Sequence, residues 1–450
     1  MKCLFSELKS ENNLFSAWRH VRRSAQSSKN SEIRGQASEF EHKHHRNLRR
    51  IQRQLREGRF NFDKYVGVLK DKKAREKDGK APRPIAIGTI QNRVVQRAIL
   101  QVLQPRKISN ASDPNSKYLP RVDPRIGGLN DVNSSQYGVG GLLAPYGGVK
   151  PAIQIVMRAM ELGATHFFQS DIRAFFTCIP VAPVTSKILK ETGCEKTAEI
   201  FSRALEVHLA NEDELYGYAR LFPTGGIGVA QGSSLSAFAG NVLLYDFDHE
   251  LNKMGVTAVR YIDDIFLLSP SNSALDSAIK YAKDYLAQFR FSLYDPAPGS
   301  KKAAAGLCRD AFNFLGCTIQ PQRCVPSKPS VDRLLTEVRE ELSTSKKAIA
   351  ALIRGEDRFD HRFARSATIK RLGDKLYGWE KSFAFATDAQ AFRHMDGKVA
   401  DYVRSYENEI DRILRSAPAP IRMRAIGIPN TERLFILDRD DTPSCPISQR

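Results

Sequence analysis

Two kinds of hydrophobic spacing divide this chain. In its middle, short apolar runs end at an acid or break at paired acids, as strands and hairpins do. Towards both ends, apolar residues recur every three or four positions, as on helices. From Arg46 the pattern is helical: Leu48, Ile51 and Leu55 form one stripe, and Arg46, Arg49, Arg50, Arg53 and Arg56 fill the other faces. Residues 107–150 hold many Gly, Pro, Asn and Ser, including Gly127-Gly128, Gly138, Gly140-Gly141 and Gly147-Gly148, and read as an insertion or a flexible connection. A helix is predicted from Lys150 to Leu162, with Ile153, Val156, Met157 and Met160 at helical spacing. After about 325 the chain reads as helices, with one stripe of Leu334, Leu335, Val338, Leu342, Ile349 and Leu352. A second stripe runs through Phe392, Met395, Val399, Tyr402, Tyr406, Ile410 and Ile413. From Pro418 the sequence is Pro-rich and weakly patterned, a tail or a docking arm, and no internal repeat emerges.

The strand-like segments carry the candidate chemistry. In His166-Phe-Phe-Gln-Ser-Asp171-Ile172-Arg-Ala-Phe175-Phe176, one acid ends a short apolar run and projects into a cleft. In Ala258-Val-Arg-Tyr261-Ile262-Asp263-Asp264-Ile265-Phe266-Leu267-Leu268, two adjacent acids interrupt an almost wholly apolar stretch, and a strand–turn–strand hairpin is expected. Adjacent carboxylates repel. A divalent cation removes that penalty, and hard cations prefer carboxylate oxygen. Taken alone, the Asp-Asp pair reads more readily as a polar turn between two strands.

Composition narrows the setting. Hydrophobic residues make up 42% and charged residues 26% of 450, an ordinary globular balance. No run of about 18 apolar residues predicts a membrane span. The start, Met1-Lys2-Cys3-Leu4-Phe5, does not read as a signal peptide, so a cytoplasmic location is expected. Seven scattered cysteines without a C-x-x-C pair argue against structural zinc and a disulfide framework. His42, His44 and His45 fit no zinc spacing and are expected to be solvated or RNA-adjacent. Lys and Arg outnumber Asp and Glu by 69 to 50, a net charge of +19, which points to a polyanionic partner, most commonly nucleic acid.

The order and company of several segments carry a resemblance. Tyr261-Ile262-Asp263-Asp264 resembles the Y-x-D-D box, motif C, of reverse transcriptases. Asp171-Ile172-x-x-Phe175-Phe176 resembles motif A of the group II intron and retron-like bacterial branch, and Gly228-Val-Ala-Gln231-Gly232-Ser-Ser-Leu-Ser236 resembles motif B. Ala81-Pro-Arg83-Pro-Ile-Ala-Ile87 with Asn92-Arg93-Val-Val-Gln96 is similar to the preceding fingers block, and Phe314-Leu315-Gly316 to the primer-grip motif E. The resemblance implies an α+β right-hand polymerase: an antiparallel palm sheet carrying the acids, with fingers and a helical thumb. It implies Asp171, Asp263 and Asp264 as catalytic residues, with Ile172 beside them, around two Mg2+ ions for which Mn2+ is a substitute. It also implies that Arg83, Phe176, Gln231, Gly232 and Lys302 (or Lys301) bind the nucleotide, with Arg93 a further candidate. Phe176 stands where the family places a steric gate against a 2′-hydroxyl. RNA-dependent RNA polymerases usually carry an acid there, so Phe176 implies dNTP substrates.

The expected organisation is a basic helical region over 1–60, fingers with a Gly-rich insertion over 61–165, palm over 166–322, helical thumb over 323–417 and a tail over 418–450. The N-A-x-x-H and V-T-G motifs usual in retron enzymes are missing, and the residues after Gly316 leave room for a thumb and little more. The chain is therefore most similar to the defence-associated (antiphage or abortive-infection) reverse transcriptases. Expected partners are an RNA template, a non-coding RNA by analogy, a DNA product, and a partner protein or second copy. Alternatives are template-independent or protein-primed DNA synthesis at the same site, and a silent RNA-binding scaffold. Tyr402 and Tyr406 are available as priming hydroxyls but fit a helical core stripe better.

Overall fold

The computed structural model describes residues 3–28, 30–77, 81–108, 112, 118–300, 302–356 and 359–432. The chain divides into two compact units, Met1–Arg309 and Asp310–Arg450, a boundary ahead of residue 322.

The first unit begins with helices α1 (Leu4–Leu8), α2 (Glu11–Gln26), α3 (Ser31–His42) and α4 (His44–Arg56). Strand β1 (Val66–Lys70), helix α5 (Lys72–Lys77), strand β2 (Arg83–Ile87) and helix α6 (Ile90–Leu103) follow. Ser10 and Asn30 cap α2 and α3 by accepting from backbone N–H groups of their first turns. The predicted stripe of α4 is its buried side: Leu48, Ile51 and Leu55 join Leu14, Trp18 and Val21 of α2 and Val94, Ala98 and Ile99 of α6 in one core. Helices α2 and α6 run antiparallel, since Asn13 Nδ2 donates to the Ala98 carbonyl at 3.0 Å and Arg93 donates to Ser24 Oγ at 2.9 Å. Strands β1 and β2 form an antiparallel hairpin with Lys70 opposite Arg83.

Short strands β3 (Arg106–Ile108) and β4 (Tyr118–Pro120) and helix α7 (Leu129–Asn133) lie in the Gly-rich stretch, before α8 (Val149–Glu161). The stretch was expected to be an insertion or a flexible connection. Its described part instead packs, with Ile126, Leu129, Val132 and Val139 buried.

Then come β5 (His166–Asp171), α9 (Phe175–Cys178), α10 (Val181–Thr192), α11 (Glu195–Leu205) and α12 (Ser236–Lys253). The unit closes with β6 (Thr257–Tyr261), β7 (Asp264–Ser269), α13 (Asn272–Ala287) and β8 (Ala303–Leu307). Four of these strands make an antiparallel sheet in the order β6-β7-β5-β8. Helices α8, α12 and α13 pack on it, which is why Ile265–Leu268 is a continuous apolar run: every one of those residues is buried.

The second unit opens with β9 (Phe312–Phe314), β10 (Cys317–Gln320) and β11 (Arg323–Pro326), antiparallel in the order β11-β10-β9. Phe314 pairs with Cys317, leaving Leu315-Gly316 as a two-residue turn with positive φ at both positions. Helices α14 (Lys328–Ile353), α15 (Arg365–Phe383), α16 (Gln390–Leu414) and α17 (Ala419–Ile426) complete it. The predicted stripes meet in its core, where Tyr406 is buried with its hydroxyl 2.8 Å from Ser345 Oγ. Residues 419–426, read as tail, are helical, with Ala425 buried against that core; 433–450 lie outside the described residues.

Candidate active site

Strands β5 and β7 set the acids side by side. In their antiparallel register Asp171 stands opposite Asp264, and β6 brings Tyr261 opposite Asp264 from the other side. Asp263 sits in the tight turn between β6 and β7, and its carbonyl accepts the Ile172 N–H at 2.8 Å. One carboxylate oxygen from each of Asp171, Asp263 and Asp264 falls within 4.8 Å of the others. The Ile172 side chain is buried in the core, so this residue has only its carbonyl to offer a cation.

At 4.8 Å and an effective dielectric of about 20, each carboxylate pair repels by roughly 3 kcal/mol. Burial pushes the Asp263 carboxyl up to about 6; Asp264 adds to that rise, and Arg260 and Arg83 oppose it. Burial likewise pushes Asp264 up to about 6. Lys302 ion-pairs with Asp171, one cation against three acids. Three hard oxygen donors converging with one nearby ammonium fit a divalent cation.

The turn holding these acids is strained and braced from beneath. Ile262, a β-branched residue, has φ +63°. Arg260, one residue before Tyr261, is fully buried and grips Asp248 of α12 through Nε to Oδ1 at 2.9 Å and Nη2 to Oδ2 at 2.6 Å. Its Nη1 donates to the Ile262 carbonyl at 2.9 Å, tying the strained residue to the pair. Burial pushes the Asp248 carboxyl up, and the Arg260 guanidinium opposes it. The Gly-rich segment closes the brace: Arg260 N–H donates to the Tyr137 carbonyl at 2.8 Å, and Val139 N–H to the Arg260 carbonyl at 2.9 Å. A Cβ on Gly138 would lie 2.4 Å from Asp248 Oδ2, and one on Gly140 would lie 2.4 Å from the Ile262 nitrogen. Sequence reading missed Asp248, Arg260 and these glycines as parts of the site. Two glycines separated by a single residue were the available signal, a mark of close backbone approach.

The second layer joins the turn after β5 to the loop before α12. Phe176 is half-buried, with its ring centroid 5.4 Å from that of Phe175. Its carbonyl accepts from Val229 N–H at 2.7 Å, and the Ile179 carbonyl from Gly228 N–H at 2.8 Å. Gly228 has φ +87°, and a Cβ there would meet the Thr177 carbonyl oxygen at 2.6 Å, so only glycine permits this contact. Ser236 Oγ donates to the Ala230 carbonyl at 2.7 Å and closes the loop. Gln231 and Gly232 border a pocket of about 160 Å3 with Arg93, Gln96 and residues 85–88. Arg83 is exposed at the start of β2, close enough to bear on the Asp263 charge. The structure thus gathers Asp171, Ile172, Asp263, Asp264 and Lys302, and sets Gln231 and Gly232 with Arg93 in a pocket whose lining includes none of the three acids. Lys301 lies outside the described residues.

An antiparallel sheet that brings three acids together is an arrangement able to hold divalent metal for phosphoryl transfer. The sequence profile of the family described as reverse transcriptase (RNA-dependent DNA polymerase) matches residues 72–319, more than half of the chain, and the chain belongs to that family. Its α+β fold is that of a right-hand polymerase, and membership implies dependence on a divalent metal. Among solved structures, it is similar to a "Partial Cas6-RT-Cas1--Cas2 complex" at 18% identity and TM-score 0.35, covering 64% of this chain and 43% of that one. It is also similar to a "Cas6-RT-Cas1--Cas2 complex" at 14% identity and TM-score 0.36, covering 90% and 50%. A third is apo telomerase from Candida Tropicalis truncated from its C-terminal domain, at 14% identity and TM-score 0.27, covering 40% of each chain. The chain spans half or less of the length of these solved chains. No curated protein matches it. No helix among the described residues is long and apolar enough to cross a membrane.

Proposed function

We propose that this chain is an RNA-directed DNA polymerase that joins dNTPs by two-metal phosphoryl transfer at Asp171, Asp263 and Asp264. The observation that carries this is the convergence of three carboxylates within 4.8 Å, two on paired strands and one in the adjoining turn, a placement that structure alone does not call for. Bound there, Mg2+ ions (or Mn2+) would lower the pKa of a primer 3′-hydroxyl and neutralise charge on the leaving pyrophosphate. The protein's own part is positioning and charge. Asp171, Asp263 and Asp264 act as metal ligands, joined by the carbonyl of Ile172. Arg83 meets the triphosphate with its two-pronged guanidinium. Lys302, already beside Asp171, stands near the pyrophosphate. Gln231 and Gly232 shape the base-pair side, and Phe176 excludes a 2′-hydroxyl beneath the sugar.

The RNA template, taken as a non-coding RNA, and the setting in bacterial antiphage defence rest on the resemblance of the motifs and on the retron motifs this chain lacks. The test is primer extension on an RNA template with separate dNTP and rNTP pools. Wild type is expected to extend with dNTPs alone. Asp263→Ala with Asp264→Ala is expected to abolish extension while RNA binding persists. Polymer made by the double variant would show the site to be misassigned.

A further inference from the structure

A groove of about 1090 Å3 lies away from the acids, walled by α3, α4 and the first residues of α6. Arg46, Arg49, Arg50 and Arg53 of α4 line it, spaced every three or four residues along one stripe, and all four are exposed. The opposite stripe of α4 is the buried one, Leu48, Ile51 and Leu55, so the helix cannot turn its arginines elsewhere. Lys43 adds a fifth cation, against the two acids Glu39 and Asp63, an excess of three positive charges. Asp63 is already engaged, accepting from Thr89 Oγ1 at 2.7 Å and Gln91 Nε2 at 2.6 Å. Arg50 has a long hydrogen bond to Gln91 Oε1, 3.5 Å. Among the described residues, Lys43, Arg46, Arg49 and Arg53 have no ion pair. Helix α4 also precedes the stretch that matches the family profile, residues 72–319.

We infer that this groove is a second nucleic-acid contact, gripping the phosphodiester backbone of single-stranded RNA through Arg46, Arg49 and Arg53. Guanidinium groups match phosphate oxygens in pairs, and neutralising phosphates releases counterions. From Arg46 to Arg53 the helix rises about 10 Å, long enough to meet more than one phosphate of a strand laid along it. One stripe of arginines on one helix follows one backbone, so the groove is assigned to a single strand. An acidic protein is the poorer match. Protein interfaces have an apolar core, whereas the apolar residues here, Phe40 and Ile90, are themselves buried. The choice of RNA rests on the polymerase reading above; the charge argument stands without it.

The test measures binding of a short, unstructured, fluorescently labelled RNA by anisotropy over roughly 50–300 mM NaCl, without dNTPs. The full-length variant R46Q/R49Q/R53Q is expected to lose about 2 from the slope of log K against log salt, near 0.7 per phosphate contact. It should bind at least about tenfold more weakly at the low-salt end and melt no lower than wild type. R46K/R49K/R53K should restore most of the slope. A slope unchanged by the Gln substitutions overturns the inference. So does polyglutamate binding that depends on the same arginines while RNA binding does not, which assigns the groove to an acidic protein. DNA of the same sequence binding more tightly than RNA overturns the choice of RNA. Extension assays on the same preparations separate the two readings. If wild type does not extend but the slope depends on the arginines, the groove stands and the polymerase reading falls. If wild type extends and the slope ignores the arginines, only the groove falls.

Discussion

The acid site on β5 and β7 and the arginine groove on α4 both gather charges of one sign, on opposite terms. The acids are largely buried, two of them pushed up to about 6, and a turn with a left-handed isoleucine holds them. The arginines are exposed, sit on an unstrained helix and are spread over two turns. Buried like charges repel strongly because water cannot screen them, so they persist only in a scaffold that leaves them no other arrangement. Exposed like charges are screened within about a Debye length and need little support. The first region is therefore expensive to build and sensitive to its neighbours, and the second is cheap and tolerant.

The sharpest way to break that contrast is to remove the brace beneath the acids. Asp248→Ala would leave the Arg260 guanidinium buried without its partner, which costs about 3–5 kcal/mol. We expect a large fall in the denaturant midpoint and loss of primer extension. The double variant Asp248→Leu/Arg260→Met removes both charges and should recover most of the stability. It should not recover extension, because the Ile262 carbonyl loses its donor. Full recovery of extension would show that the pair is structural and does not position the acids.

A smaller effect of opposite sign comes from the acids themselves. Asp263 rises from 3.8 to about 6 in the folded state, so the folded protein holds this proton more tightly than the unfolded chain does. The stability linked to that proton is fully present below the unfolded value and is lost as pH rises through about 6. At pH about 8 in EDTA, Asp263→Asn should therefore stabilise the protein by roughly 1–3 kcal/mol while abolishing extension. The gain should shrink as pH falls through about 6, and adding Mg2+ should stabilise wild type more than the variant. Thermal melts across pH would show this. A variant no more stable than wild type at pH about 8 would mean the acids are not in conflict.

The same contrast explains what the sequence disclosed. Charges that interrupt a local pattern are legible: Asp263-Asp264 breaks an apolar run, and the α4 arginines alternate with Leu48, Ile51 and Leu55. The strand pairing then places Asp171, at the end of one apolar run, opposite Asp264, at the start of the other. The brace was not legible. Asp248 lies on a helix and Arg260 on a strand, with no shared period to link them. The role of the Gly-rich stretch was hidden similarly, since Gly138 and Gly140 answer to atoms of Asp248, Arg260 and Ile262, more than a hundred residues further along the chain. Composition reports that a segment is rich in glycine, not whether the space its side chains vacate is filled by solvent or by another backbone.

The smallest expected effect falls in the groove. Five like-charged pairs lie three or four residues apart on α4: Arg46–Arg49, Arg46–Arg50, Arg49–Arg53, Arg50–Arg53 and Arg53–Arg56. Each is unfavourable by roughly 0.2–0.5 kcal/mol in an exposed helix. The variant R46Q/R49Q/R53Q removes all five and keeps residues of comparable helix propensity. It should gain roughly 1–2.5 kcal/mol at low ionic strength and nothing near 1 M NaCl, where the Debye length is about 3 Å. Denaturant melts at the two salt concentrations would measure this. A loss of stability at low salt would mean the arginines hold partners within the protein, and the groove would then belong with the buried pair beneath the acids as structure. A gain that disappears with salt would leave α4 as a surface whose charges are tolerated by the fold and satisfied from outside it.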